Sequence, residues 1–286
     1  MLDSMVPEVS YPRYSNRQLA AIPLALLAIS ILIIAGTWAT TGMPVNPGID
    51  FTGGTELQIE TDASESEIEA AFETEPESIQ PIAAQENEYI ITFQSTDTAL
   101  IESQATDAGF GVTSISSTSA AFGAETQLQA VIGVAIAFAG MSVLVALMFR
   151  SFIPSIAVVL SAFSDIVIPV ALMNLFGIQL SLGTVAALLM LIGYSVDSDL
   201  LLNNHILRRR GDFYDSTYRA MRTGVTMTLT AIIAMLVMTV VATIFAIPLL
   251  PAIGLVLVFG LLADLMNTYL LNVSLLRWYK FEGIAR

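Results

Sequence analysis

Four aspartates, Asp165, Asp197, Asp199 and Asp264, stand inside runs of residues apolar enough to cross a bilayer. A carboxylate at mid-membrane costs about 2.5–3.5 kcal/mol on insertion scales, so it normally faces a partner or water and marks function. Two chemistries fit. A neutral, hydrogen-bonded carboxyl can tie spans together as packing. Alternatively, a carboxylate that burial drives toward neutrality and a nearby cation draws back can carry a proton or another ion. Asp197 and Asp199 flank Ser198 and point about 200° apart on a helix, so one partner cannot serve both. Arg222, at the start of the fifth apolar run, is the cation placed to influence them. Relay and packing stand side by side for Asp197, Ser198, Asp199 and Arg222, whereas packing leads for Asp165 and Asp264. Ser161, Asp165 and Pro169 share a ridge at spacing four, and Pro169 leaves the Asp165 carbonyl without its helical donor. Gly260, Asp264, Thr268 and Asn272 form a second ridge, a polar stripe one residue wide that suits a helix–helix seam.

The residue inventory removes other chemistries. With no cysteine there is no thiolate metal site, cysteine nucleophile or disulfide framework. The single histidine, His205, does not build a metal cluster or a Ser-His-Asp triad, and the arginines that follow it mark an interfacial position. No metal, no cofactor and no enzymatic activity are expected. A net charge of −14 disfavours nucleic acid as a partner, since phosphate binding needs cations.

Positioning the aspartates requires membrane helices, and six runs qualify: 19–39, 128–149, 153–176, 180–207, 225–247 and 252–276. Each meets the roughly 20 apolar residues a helix needs to cross the hydrocarbon. Arg13 and Arg17 precede the first run, and Arg150 separates the second from the third. Arg208, Arg209, Arg210, Arg219 and Arg222 lie between the fourth and fifth, and Arg277, Lys280 and Arg286 follow the last. Lys and Arg are retained on the cytoplasmic side, and all eleven fall there only if both termini are cytoplasmic. The expected division is a cytoplasmic 1–18, a first transmembrane segment 19–41, an external domain 42–126, a five-helix remainder 127–276 and a cytoplasmic 277–286. The segment 208–224 reads as a cytoplasmic loop. The first run is too long for a signal-peptide core and is expected to stay in the lipid bilayer.

Between 43 and 126 the chain holds sixteen of its twenty-five acids and no cation. Such a surface is tolerable where salt screens its self-repulsion, so an extreme halophile, an archaeon, is the expected source. Within the block, 55–60 alternates Leu57 and Ile59 with polar residues as a strand does. Ser64 and Glu67 make a capping box that opens a helix with Ile68, Ala71 and Phe72 on its apolar face. Strands at 78–84 and 89–94 surround a turn at 85–88; a helix at 98–108 stops at Gly109, and a strand occupies 111–119. The order β-α-β-β-α-β is that of a ferredoxin-like split fold. The expected fold class is thus an α-helical polytopic membrane protein with six transmembrane helices, plus one small α+β ferredoxin-like extracytoplasmic domain between helices 1 and 2.

Where the chain leaves the first span it reads Pro47-Gly48-Ile49-Asp50-Phe51-Thr52-Gly53-Gly54-Thr55. By physics alone this is a tight polar turn between membrane and strand. As a word, 48–55 resembles the start of the exported domain in the SecF branch of the SecD/SecF family. The stretch Ile192-Gly193-Tyr194-Ser195-Val196-Asp197-Ser198-Asp199 is similar to that family's fourth-span signature, with a shifted register. Asp197 falls where the family has Asn, Ser198 falls on its Asp, and Asp199 comes one place later. Ser164 replaces the family's His before Asp165. Arg222-Thr223, leading Thr226, Thr228 and Thr230, is a third, partial match. The resemblance implies an accessory subunit of Sec protein translocation. It would work with a SecD-like membrane subunit and a SecY/SecE-type channel on unfolded secretory polypeptide. Proton or ion flow through a bundle like half of an RND-type transporter would drive the external domain. Two other readings compete: an RND-like half-transporter of lipids or small solutes, which the 48–55 word disfavours, and an intramembrane aspartyl protease, for which the chain lacks Gly-x-Gly-Asp.

Overall fold

A chain in hydrocarbon must satisfy its backbone within itself, so the apolar runs fold as helices. The computed structural model describes residues 11–82, 87–149, 151–208, 212–245, 247 and 249–282. Among them, six helices are long and apolar enough to cross a membrane. These are α1 (Asn16–Thr41), α5 (Ala120–Phe149), α6 (Phe152–Phe176), α7 (Leu182–Arg208), α8 (Phe213–Ile244) and a composite last helix. That helix runs as α9 (Leu250–Met266), a π-helical segment Asn267–Asn272 and α10 (Val273–Phe281). Ser15 and Gln18 form a capping box at the start of α1, and Gly42, at φ +78°, ends it. Arg150, Arg209, Arg210 and Arg286, and Gln85 and Glu86 of the expected hairpin turn, lie outside the described residues.

Two helices begin earlier than hydropathy suggests. Helix α5 starts at Ala120, directly after the last strand. Helix α8 starts at Phe213, so most of the expected loop 208–224 is helical. Its first turns place Phe213, Thr217, Ala220, Met221 and Gly224 on one buried face, an amphipathic stripe that a hydropathy window averages away. This stripe packs with Tyr11, Leu19, Leu202, Ile206, Tyr269 and Leu276 into a core at the bundle end remote from the sheet.

Between α1 and α5 lies the α+β unit. The short α2 (Ile49–Thr52) leads into β1 (Gly54–Glu60), followed by α3 (Glu65–Ala71), β2 (Ser78–Pro81), β3 (Glu88–Phe93), α4 (Thr98–Asp107) and β4 (Gly111–Thr118). The sheet is antiparallel in the order β2-β3-β1-β4, the split arrangement expected of a ferredoxin-like fold. Leu57 and Ile59 of β1 face one way with Ile91 and Phe93, and meet Ile68, Phe72, Ile101 and Ala105 in a buried core. Glu67 accepts hydrogen bonds from the Ser64 backbone N–H at 2.8 Å and its hydroxyl at 2.7 Å. Those bonds hold the Glu67 carboxyl below the ordinary glutamate range.

In the bundle, α6, α7 and α9 pack on one another, with α8 against α9 and α1 against α6. Gly260 lets α9 approach α7 closely: a Cβ there would sit 2.1 Å from a Leu191 methyl. The neighbouring turn carries Asp264, so this close approach brings its carboxyl to α7.

Candidate functional site

Three carboxylates meet at the centre of the bundle. Asp165 on α6, Asp199 on α7 and Asp264 on α9 are each essentially inaccessible to solvent. Uncharged side chains hold all three. Asp165 accepts from the Ser195 hydroxyl at 2.6 Å and the Asn267 amide at 2.5 Å. Asp264 Oδ1 lies 2.6 Å from the Ser198 hydroxyl and 3.2 Å from that of Thr268. Asp199 Oδ1 accepts from the Asn272 amide at 2.7 Å and lies 2.9 Å from the Thr268 hydroxyl. Ser161 faces Asp199 without completing a hydrogen bond, and Asp199 Oδ2 has no donor among the described residues.

Thr268 is the pivot. Its hydroxyl reaches one oxygen of Asp199 and one of Asp264, but it has a single proton to donate. It satisfies one carboxylate as donor and can accept from the other only if that one carries a proton. A chain Asp199–Thr268–Asp264–Ser198 built this way can pass a proton by hydroxyl rotation. Asp165 is held on separate donors, joined to this chain through α7: the Ser198 hydroxyl also lies 3.0 Å from the Ser195 carbonyl.

The π-helical segment explains the crowding of donors. An α-helix would set Asn267 and Asn272, five residues apart, about 140° from each other. The wider i→i+5 turn brings Asn267, Thr268 and Asn272 all inward, and all three are fully buried. Asn267 is therefore a site residue that spacing-four reasoning misses. The Tyr11 hydroxyl donates to the Tyr269 carbonyl at 3.0 Å, fastening the segment before α1 over this same turn.

Asp197 lies elsewhere. It is exposed, on the opposite side of α7 from Asp199. Together with Tyr194, Ser198, Asn204, Thr228 and Asp264 it lines a cavity of about 590 Å³ between α5, α7, α8 and α9. The cavity therefore runs from an exposed carboxylate to a buried one. Arg222 is exposed on α8 and is not among the residues lining it. Thr226 and Thr230 bond back to the Arg222 and Thr226 carbonyls rather than reaching the carboxylates. Gly193 faces open space. A cysteine at 197 is expected to react with a small water-soluble maleimide in intact membranes, and one at 199 to stay unreactive. Equal labelling of both, followed by mass shift on gels, would contradict this geometry.

At the sheet end, the 48–55 word forms a one-turn helix followed by two glycines at positive φ. Gly53 has φ +80° and Gly54 φ +153°, conformations that side chains rarely adopt. Neither has room for one: a Cβ on Gly53 would lie 2.6 Å from the Ala120 nitrogen, and one on Gly54 2.4 Å from the Phe93 carbonyl oxygen. The Thr52 hydroxyl caps back to the Gly48 carbonyl at 3.2 Å, and the buried Thr55 hydroxyl donates to the Ser95 carbonyl at 2.7 Å. Ile49 packs its side chain against Gly54, Phe51 is buried, and the Phe51 carbonyl presses on Gly123 of α5. The Asp50 carboxylate accepts the Leu182 N–H at 3.0 Å. Burial and the adjacent Asp50 push the Glu56 carboxyl above the ordinary glutamate range.

Comparison with known proteins matches family models to both regions of the chain. The description "Protein export membrane protein SecD/SecF, C-terminal" matches residues 100–282, and "SecD/SecF GG Motif" matches residues 38–65. A protein-export membrane protein SecF of Haloferax volcanii is 71% identical over 289 residues, covering 100% of both chains. The chain belongs to the SecF family. A SecF of Haloquadratum walsbyi is 65% identical over 100% of each chain, and one of Methanolacinia petrolearia 42% identical over 95% of this chain and 96% of that one. The Haloferax and Haloquadratum relatives come from halophilic archaea, in keeping with the uncompensated acids of 43–126. The crystal structure of SecDF, a translocon-associated membrane protein from Thermus thermophilus, matches with TM-score 0.72 at 20% identity. That match covers 96% of this chain and 39% of the SecDF chain, so the fold is shared with part of a longer protein.

In the fourth span Ser198 gives its hydroxyl to Asp264, and the carboxylate one place later, Asp199, turns into the bundle. Ser164 is buried with no hydroxyl partner among the described residues.

Proposed function

We propose that this protein is the SecF-type subunit of a protein-export assembly. It would pair with a SecD-like subunit beside a SecY/SecE-type channel and use proton or ion movement to move its external domain on emerging polypeptide. The observation that carries the reading is the hydrogen-bonded chain Asp199–Thr268–Asp264–Ser198, buried across two helices and reached by a cavity. Packing alone needs no hydroxyl shared between two carboxylates. A site that loads and unloads a proton does, because each protonation state must find a partner. In this reading Asp165 tunes the chain electrostatically, Asp197 lies at its accessible side, and Arg222 sits at the cytoplasmic mouth of α8. The distribution of the cations supports an orientation with both termini in the cytoplasm and the acidic α+β domain outside.

The decisive experiment is affinity purification of the full chain from native membranes, combined with export kinetics. The SecD-like subunit and channel are expected to co-purify. Removing 55–119 is expected to leave the spans inserted while secretory precursors accumulate. Robust absence of the channel, with normal export in the deletion, would instead favour a half-transporter of lipids or solutes.

A further inference from the structure

Resting on the coupling just proposed, we infer that Asp50 is a positioning residue that grips the aspartate-bearing helix α7 from the outer domain and makes the two move together. Helix α7 begins at Leu182, and its cap is already partly satisfied: the Thr184 N–H donates to the Ser181 hydroxyl, and the Ser181 N–H to the Thr184 hydroxyl. The Leu182 N–H remains one of the orphan donors of a helix start, and Asp50 Oδ2 takes it at 3.0 Å. A carboxylate there also meets the positive end of the helix dipole.

The contacts around Asp50 clamp the turn that precedes α7. The Gly48 N–H donates to the Leu180 carbonyl and the Leu180 N–H to the Asn46 carbonyl, both at 2.8 Å. The Gln179 amide donates to Glu77 at 2.6 Å, and Glu77 also accepts from Gln94 at 2.7 Å, so the grip extends to the far strands of the sheet. These bonds hold the turn; Asp50 holds the helix itself. The short helix that carries Asp50 packs in turn against the start of α5, with Gly53 on Ala120 and Phe51 on Gly123, where the backbones touch too closely for side chains. Beside this junction a cleft of about 770 Å³ separates the sheet's polar face from the bundle. The domain is therefore joined to the spans through the motif, the turn and the direct run of β4 into α5 rather than across a broad interface. From Leu182 to Asp199 the helix is about 25 Å of rigid rod at 1.5 Å per residue. A shift at the carboxylate cluster along that rod arrives at Asp50.

The test uses the full chain with its SecD-like subunit in native-salt membrane vesicles, read by hydrogen exchange. In the Asp50→Ala variant the Leu182 amide is expected to exchange about tenfold faster, the loss of one charge-assisted hydrogen bond. Asp199→Asn is expected to change exchange across β1 and the 177–182 turn in the otherwise native chain. With Asp50→Ala present that response is lost and export falls, whereas Asp50→Asn, which keeps an acceptor oxygen, retains both. Leu182→Pro asks the same question from the other partner, since proline is tolerated at the first helical position yet has no N–H. It should reproduce Asp50→Ala even if that variant accumulates poorly. An Asp199→Asn response that persists in Asp50→Ala and Leu182→Pro would overturn the latch and leave the proton relay standing. No response in the native chain would overturn the transmission reading, and the latch with it.

Discussion

Asparagine at position 199 is expected to abolish export support while the subunit still assembles at wild-type levels. Asn has the shape of Asp and keeps an oxygen to accept from Asn272 or Thr268, so packing around α7 survives. It cannot bind or release a proton at neutral pH, so the chain through Thr268 loses one of its two stations. Asp264→Asn should behave alike, and Thr268→Val should match both while leaving every carboxyl in place. Asp165→Asn differs. Both of its oxygens accept, from Ser195 and Asn267, and an Asn amide there would face either the Asn267 donor or a Ser195 hydroxyl whose proton then loses this acceptor. The resulting mismatch in the buried core costs about 1–3 kcal/mol and should appear as reduced assembly. Pulse-chase export assays, with membrane accumulation of the subunit and its partner as control, separate the cases. Normal export with Asn at 199 and 264 together would reduce the cluster to packing.

Alanine at Gly54 is expected to prevent accumulation of the folded protein altogether. The added Cβ meets the Phe93 carbonyl at 2.4 Å and Ile49 Cγ2 at 2.6 Å, and the first of these is backbone within the sheet. The φ of +153° adds its own strain, of order 1–3 kcal/mol for a residue other than glycine. Gly53→Ala faces the Ala120 backbone at 2.6 Å and should fail for the same reason. Two contrasts isolate the cause. Gly42 also has positive φ but open space around it, so Gly42→Ala should cost about 1 kcal/mol and still accumulate. Gly193, in the fourth-span signature, is helical and open, and alanine there should be neutral or slightly stabilising. Membrane accumulation and protease resistance of the four variants would show it. A fully folded Gly54→Ala protein would mean that the junction yields without loss.

Much of this molecule is written locally. Alternation in β1, the Ser64–Glu67 pair and Gly109 mark elements of the sheet unit because strand period, helix caps and left-handed glycines depend on a few adjacent residues. The membrane spans are legible for the same reason, since hydropathy is additive along the chain. Where additivity fails, so do the boundaries: the first turns of α8 mix Arg and Asp with a buried stripe, and only packing against Tyr11 and Leu202 reveals them as helix.

The site divides along the same line. Sequence alone sufficed to mark Asp165, Asp197, Asp199 and Asp264 as anomalous in hydrocarbon, to put Asp197 and Asp199 on opposite sides of one helix, and to single out the 48–55 motif. Tertiary structure decided which acids meet. A π-turn, invisible to a count of 3.6 residues, swings Asn267, Thr268 and Asn272 inward together. Close approach of α9 at Gly260 then sets Asp264 beside Ser198, and Thr268 between two carboxylates. Asp50 reaching Leu182 belongs to the same class, because 132 residues separate the two along the chain. Partners so distant are chosen by how helices pack, a property of the whole bundle that no local pattern records.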